Sequence, residues 1–194
     1  MRKLKIKKVS FSSAKKLFND KKVMNQSSHV REVVQKIILD VKKNGDKALI
    51  KISNKLDNTK FKSIYEATYN RSDFKKNYEK IDKRTKKSLN YIKKRIIDFH
   101  KSIKIEDLKT EDKVFDFLGQ IHRPINKIGI YAPGGNAVYP SSILMTALIA
   151  KVAGSKEINL FFPSSNEEAK TLMLATAYIA EVNTAYNFGG AQAI

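Results

Sequence analysis

Residues 127–194 alternate strand-like and helix-like patterns, and this alternation constrains the fold more than any other feature of the chain. Ile128-Gly129-Ile130-Tyr131 alternates as a short strand and runs directly into Ala132-Pro133-Gly134-Gly135, a turn of residues that leave regular structure cheaply. Ser141 and Ser142 are available to cap a helix reaching Gly154, and Ile143, Leu144, Met145, Leu148 and Val152 make it apolar nearly all round, which predicts burial. Ile158–Phe162 reads as a second strand, closed by Pro163. Ser164 with Glu167, or Ser165 with Glu168, forms a capping box for a helix to about Ala180. Ala185–Phe188 is a third strand, entering Gly189-Gly190-Ala191-Gln192. The order predicts an α/β fold: a parallel βαβαβ unit with right-handed crossovers. Both glycine turns then lie beyond the carboxyl ends of strands, where open α/β sheets take ligands.

The preceding residues read differently. Residues 1–26 form a basic arm, with a short helix expected over Ser13–Phe18. Ser28 is expected to cap a helix through Lys43, with Val30, Val33, Val34, Ile37, Ile38 and Val41 in one apolar stripe. Asn44-Gly45 ends it, and a second helix runs from Asp46 to about Lys55 with Leu49, Ile52 and Leu56 inward. Ser63–Thr68 reads as a strand and Asp73–Lys80 as a turn or two of helix. The longest helix, Asp82 to about Ser102, turns Leu89, Ile92, Ile96 and Phe99 to one side. Val114–His122 alternates loosely as a strand before Arg123-Pro124 breaks it. The expected organisation is therefore a basic arm (1–26), a helix-rich part of a first domain (27–126) and a second domain from 127 to 194.

Charge and cysteine narrow the function. Residues 1–126 carry 34 Lys/Arg against 15 Asp/Glu, whereas residues 127–194 carry four of each, so the whole net charge of +19 sits in the front half. Aromatic residues do not interleave with the lysines as a stacking surface for nucleic acid requires, and the charge reads as solvated helix faces. Cysteine is absent, which removes thiolate metal ligands and disulfides. No apolar run is long enough to span a membrane, and the amino terminus is too charged for a secretory leader, so cytoplasmic residence is expected. His29, His100 and His122 match no metal-ligand spacing and read as structural or solvent-exposed.

Arg123-Pro124-Ile125, Gly129-Ile130-Tyr131-Ala132-Pro133-Gly134-Gly135, Ala150-Lys151-Val152-Ala153-Gly154 and Asn187-Phe188-Gly189-Gly190-Ala191-Gln192-Ala193 together resemble histidinol dehydrogenases. Gly45-Asp46-Lys47-Ala48-Leu49 and Phe99-His100 fit the amino-terminal half of the same family. The resemblance implies an incomplete Rossmann-like domain of aldehyde-dehydrogenase-like architecture. It also implies a zinc-containing, NAD-linked homodimer that oxidises L-histidinol through the aldehyde to L-histidine in histidine biosynthesis. By position, Tyr131 and Gln192 match residues that contact NAD in that family. A Gly-x-Gly-x-x-Gly fingerprint is absent, so these two side chains are better candidates than a glycine phosphate cradle. Departures from the family pattern are Asn136 after the glycine pair, Leu148 or Ile149 where a proline is common, and a slightly longer segment over Ser164–Lys170. The resemblance places the zinc ligands and the acid–base pair beyond Ile194, so no catalytic or metal-ligating residue is expected within the chain. It is expected to be a truncated form of the enzyme, or else a remnant or one half of a split enzyme acting as an interaction module.

Overall fold

The computed structural model describes residues 10–13, 21–110, 118–134 and 138–194, and for 21–27 the backbone alone. The residues beyond Ser13 in the helix expected over Ser13–Phe18, residues 114–117 of the expected strand, and Gly135 and Asn136 lie outside that set. Two helices lead, α1 (Lys21–Asn44) and α2 (Asp46–Leu56), followed by a 3₁₀ turn (Ile64–Ala67) and β1 (Thr68–Tyr69). Then come α3 (Arg71–Lys80), α4 (Lys83–Ser102), β2 (Leu108–Thr110) and β3 (Leu118–Gln120). The last part comprises β4 (Lys127–Tyr131), α5 (Pro140–Ala153), β5 (Glu157–Phe161), α6 (Glu167–Ile179), β6 (Thr184–Tyr186) and α7 (Gly190–Ala193).

The α/β expectation holds. One sheet runs in the order β1-β6-β5-β4, with β4, β5 and β6 parallel and β1 antiparallel on the edge. Residues on a strand alternate between faces, and the register sets Ile130, Leu160 and Ala185 abreast, with Ile128 beside Ile158. These residues build the core with α5 and α6, which pack against each other on that face. A second helical layer covers them, with α3 along α6 and α4 along α5. Phe74 carries α3 into the core with no exposed surface, which contributes roughly 1.5–3 kcal/mol by burial alone. The opposite face of the strands holds Lys127 ion-paired to Glu157 at 2.9 Å, and Phe161 stacked on Tyr186 at 5.0 Å. Among the described residues no helix is long and apolar enough to cross a membrane.

Several local expectations are corrected. The first helix starts by Lys21, so Ser28 lies inside it; Lys21–Ser27 holds no glycine or proline to stop it. Its stripe is largely open, with Val30 59% exposed, because among the described residues α2 and α7 are its main neighbours. In α2 the buried residues are Ala48 and Ser53, and Leu56 faces out; small side chains let the helix approach α7 closely. In α4 only Leu89 and Ile96 are buried, while Ile92 and Phe99 stay exposed. The segment expected as a strand over Ser63–Thr68 is a 3₁₀ turn and strands only at Thr68–Tyr69, where β6 offers an edge. Pro140 starts α5 one residue before Ser141, using the position where a missing N–H costs nothing, and Met145 on its outer side is exposed. Asn166, not a serine, caps α6 by accepting from Ala169 N–H at 3.0 Å. Ser164 spends its hydroxyl on the Asn166 carbonyl at 3.0 Å.

Candidate functional site

At the carboxyl edge of the sheet, the segments leaving β4, β5 and β6 converge on one proline. Pro163 follows β5 and lies between the two glycine turns. A Cβ on Gly134 would stand 2.4 Å from the Pro163 carbonyl oxygen, and a Cβ on Gly189 would stand 2.4 Å from the Pro163 Cβ. Only glycine fits at either place, so Gly134 and Gly189 serve close packing of three chain segments. Asn187 fastens the same region: its Oδ1 accepts from Ser164 N–H at 2.7 Å and its Nδ2 donates to the Ser164 carbonyl at 2.8 Å. Its own N–H donates to Ala67 O at 2.8 Å, which ties the front half of the chain to the turn.

The two residues singled out from sequence both reach Gly190. Tyr131, at the end of β4, is 37% exposed, and its hydroxyl accepts a long 3.5 Å hydrogen bond from Gly190 N–H. Gln192, on α7, is buried and turned toward α2. Its Nε2 donates to Ser53 Oγ at 3.4 Å, and its Oε1 has no partner. Tyr131 is thus open to a ligand, whereas the Gln192 amide is stored against a serine. Close by, burial lifts the Asp57 carboxyl above its ordinary value; the Gly189 N–H directed at it pulls the other way, and Oδ2 is left without a partner.

The histidines lie elsewhere. His29 is exposed on α1. His100 and His122 share a cleft of about 820 Å³ with Asp107, Arg123 and the carboxyl end of α5. Because α5 runs antiparallel to the strands it connects, that cleft is at the opposite edge of the sheet from the glycine turns. His122 is held there by its N–H donating to Asp107 Oδ1 at 2.7 Å. Among the described residues no three His, Cys, Asp or Glu side chains gather as a metal site would require, so the residues present do not fit a zinc centre.

The family model described as histidinol dehydrogenase matches residues 20–194. The chain belongs to the histidinol dehydrogenase family. A histidinol dehydrogenase of Neisseria meningitidis serogroup A is 38% identical over 169 residues, which are 87% of this chain and 39% of that protein. One from Methanococcus maripaludis is 38% identical over 169 residues, 86% of this chain and 39% of that protein. The crystal structure of histidinol dehydrogenase from Elizabethkingia anophelis superposes with a TM-score of 0.76 at 28% identity, covering 84% of this chain and 37% of that one. The chain therefore spans about two fifths of the length of the histidinol dehydrogenases it matches.

Sequence reasoning missed Ser53, Asp57, Pro163 and Asn187 at this edge. Ser53 and Gln192 are 139 residues apart, and no periodicity links them. The available signal was a polar Ser53 beside Ile52 on the inward side of an amphipathic helix, a position where an apolar residue is expected.

Proposed function

We propose that this chain supplies the amino-terminal, cofactor-facing part of a histidinol dehydrogenase, the cytoplasmic enzyme that oxidises L-histidinol to L-histidine through the aldehyde with two NAD. The observation that carries the reading is the Tyr131 hydroxyl meeting Gly190 N–H, which joins the turns after β4 and β6 at one sheet edge. Tyr131 would meet NAD as it stands, with a ring face and a hydroxyl beside the joined turns. Gln192 would meet it through Oε1, which has no partner while Nε2 stays on Ser53, so that a donor on the ligand satisfies a buried acceptor. NAD, when bound, is the hydride acceptor. The chain's own residues bind and orient it; the zinc ligands and the acid–base pair are assigned to the remaining length of its relatives, and the homodimer is carried over from the family.

The test is a calorimetric titration of the 194-residue chain with NAD, paired with an assay for NADH formed from histidinol and zinc. Binding that weakens in Tyr131→Ala, with no turnover, is the expected result. Absence of binding overturns the cofactor role, and measurable turnover overturns the assignment of the chemistry to other segments.

A second reading is half of a split enzyme, or an interaction module. It is favoured by the open stripe of α1, where Val30 and Val33 are 59% and 43% exposed. Co-expression with residues equivalent to the remainder of the Neisseria relative tests it: restored activity supports the split enzyme, and failure to co-purify refutes it.

A further inference from the structure

The glycine turn after β6 is propped from behind by the carboxyl end of α2. Ser53, fully buried, receives the Gln192 amide at 3.4 Å. One helical turn later, the Asp57 N–H donates to Ser53 O at 2.8 Å and its carboxylate faces the Gly189 N–H. The chain then reverses at Asn58, whose φ of 52° is a left-handed conformation. Asn54 clasps the reversed loop: its Nδ2 donates to Phe61 O at 2.8 Å, and its Oδ1 accepts from Phe61 N–H at 3.0 Å and from the Thr59 hydroxyl at 2.8 Å. The clasp sets the Phe61 ring edge-on to Phe188 at 5.8 Å, directly before Gly189. Residues 53–61 thus touch three features of the turn: the Phe188 ring, the Gly189 amide and the Gln192 side chain on α7.

Two of these contacts are unfavourable for stability alone. Asp57 Oδ2 and Gln192 Oε1 are sealed from water with no donor, and an apolar pair in their places would fill the same space without the desolvation cost. Polar groups kept at such a cost belong to a geometry that matters. We infer that Ser53 and Asp57 are positioning residues that hold the Gly189–Gln192 turn so that the Gly190 N–H and the Gln192 amide are preset for a dinucleotide. This rests on reading that edge as the cofactor site.

The experiment follows backbone amide exchange and NAD affinity in the 194-residue chain for Ser53→Ala, Asp57→Ala and Asp57→Asn. Loss of one such contact is expected to speed exchange at Gly190–Gln192, and to weaken NAD binding, by about tenfold, with Leu174–Ala177 in α6 unchanged. Asp57→Asn, which keeps an oxygen for Gly189, restores most of both. In a Gln192→Ala background, Ser53→Ala is expected to cause no further loss of NAD affinity. Unchanged exchange at the turn, an equal rise in α6, or an Asn variant no better than Ala overturns the positioning role. A wild-type chain that takes no NAD overturns the cofactor reading instead, with the exchange result still deciding whether Ser53 and Asp57 fix the turn.

Discussion

Glu181 is the joint between the front helices and the α/β unit, and its removal can be followed by pH. It lies between α6 and β6 at a φ of 58°, a conformation that costs about 1 kcal/mol outside glycine. Its two carboxylate oxygens accept from Lys93 on α4 and Lys151 on α5, each at 2.8 Å. Hydrogen bonds from Lys151 first and Lys93 second hold the carboxyl down at about 2, from an ordinary 4.5. A shift of that size corresponds to roughly 3.4 kcal/mol for a sealed group at 1.36 kcal/mol per unit. The Glu181 side chain is 45% exposed, so solvent screening reduces the contribution to about 1 kcal/mol. Because the folded value is depressed, this stability is complete above pH 4.5 and is lost as pH falls toward about 2. Glu181→Gln keeps the backbone strain and removes the charge. Urea unfolding followed by circular dichroism is expected to show the variant about 1 kcal/mol less stable at pH 7, with the gap closing between pH 4.5 and 2.5. A double-mutant cycle with Lys151→Met should recover most of the difference as coupling. A gap independent of pH, or no coupling to Lys151, would mean that the paired carboxylate does not hold this joint.

Three further outcomes follow from the packing at the sheet edge. Gly189→Ala drives a methyl into Pro163 and is expected to lower stability by about 1–3 kcal/mol in thermal unfolding, whereas Gly129→Ala, whose nearest neighbour would be Phe161 at 3.5 Å, should stay within about 0.5 kcal/mol. Asn187→Ala strands the buried Ser164 amide and carbonyl, with an expected loss of about 2–3 kcal/mol by chemical denaturation. Phe162→Ala empties a fully buried site beside the Tyr69 ring of β1 and should cost about 3–5 kcal/mol, measured the same way.

The alternation of Ile128, Ile130, Ile158 and Leu160 made the parallel sheet legible, because burying one face of a strand imposes a period of two. The glycine turns were legible for the same local reason: Gly-Gly after a strand marks either close approach or a left-handed bend. Long-range polar pairs were not. Ser53 with Gln192 and Asn187 with Ala67 join segments whose sequence signals are independent, so only the folded chain brings them together. Helix faces were read only in part. Amphipathicity says that a stripe prefers cover; it does not supply the cover, and so Leu56, Phe99 and Val30 stay exposed. The capping of α6 failed on competition, since Ser164 is drawn into pairing with Asn187 and leaves Asn166 to take the free amide.

Pro163 has an electrostatic consequence as well as a steric one. A proline has no N–H, and the next amide, Ser164, is already committed to Asn187. Directly after the middle strand, then, neither Phe162, bonded to Tyr186 O, nor Pro163 nor Ser164 offers a free backbone donor, while Gly190 N–H is only weakly engaged by Tyr131 at 3.5 Å. Of the segments that meet at Pro163, it is the one after β6 that keeps a loosely held amide for negative charge.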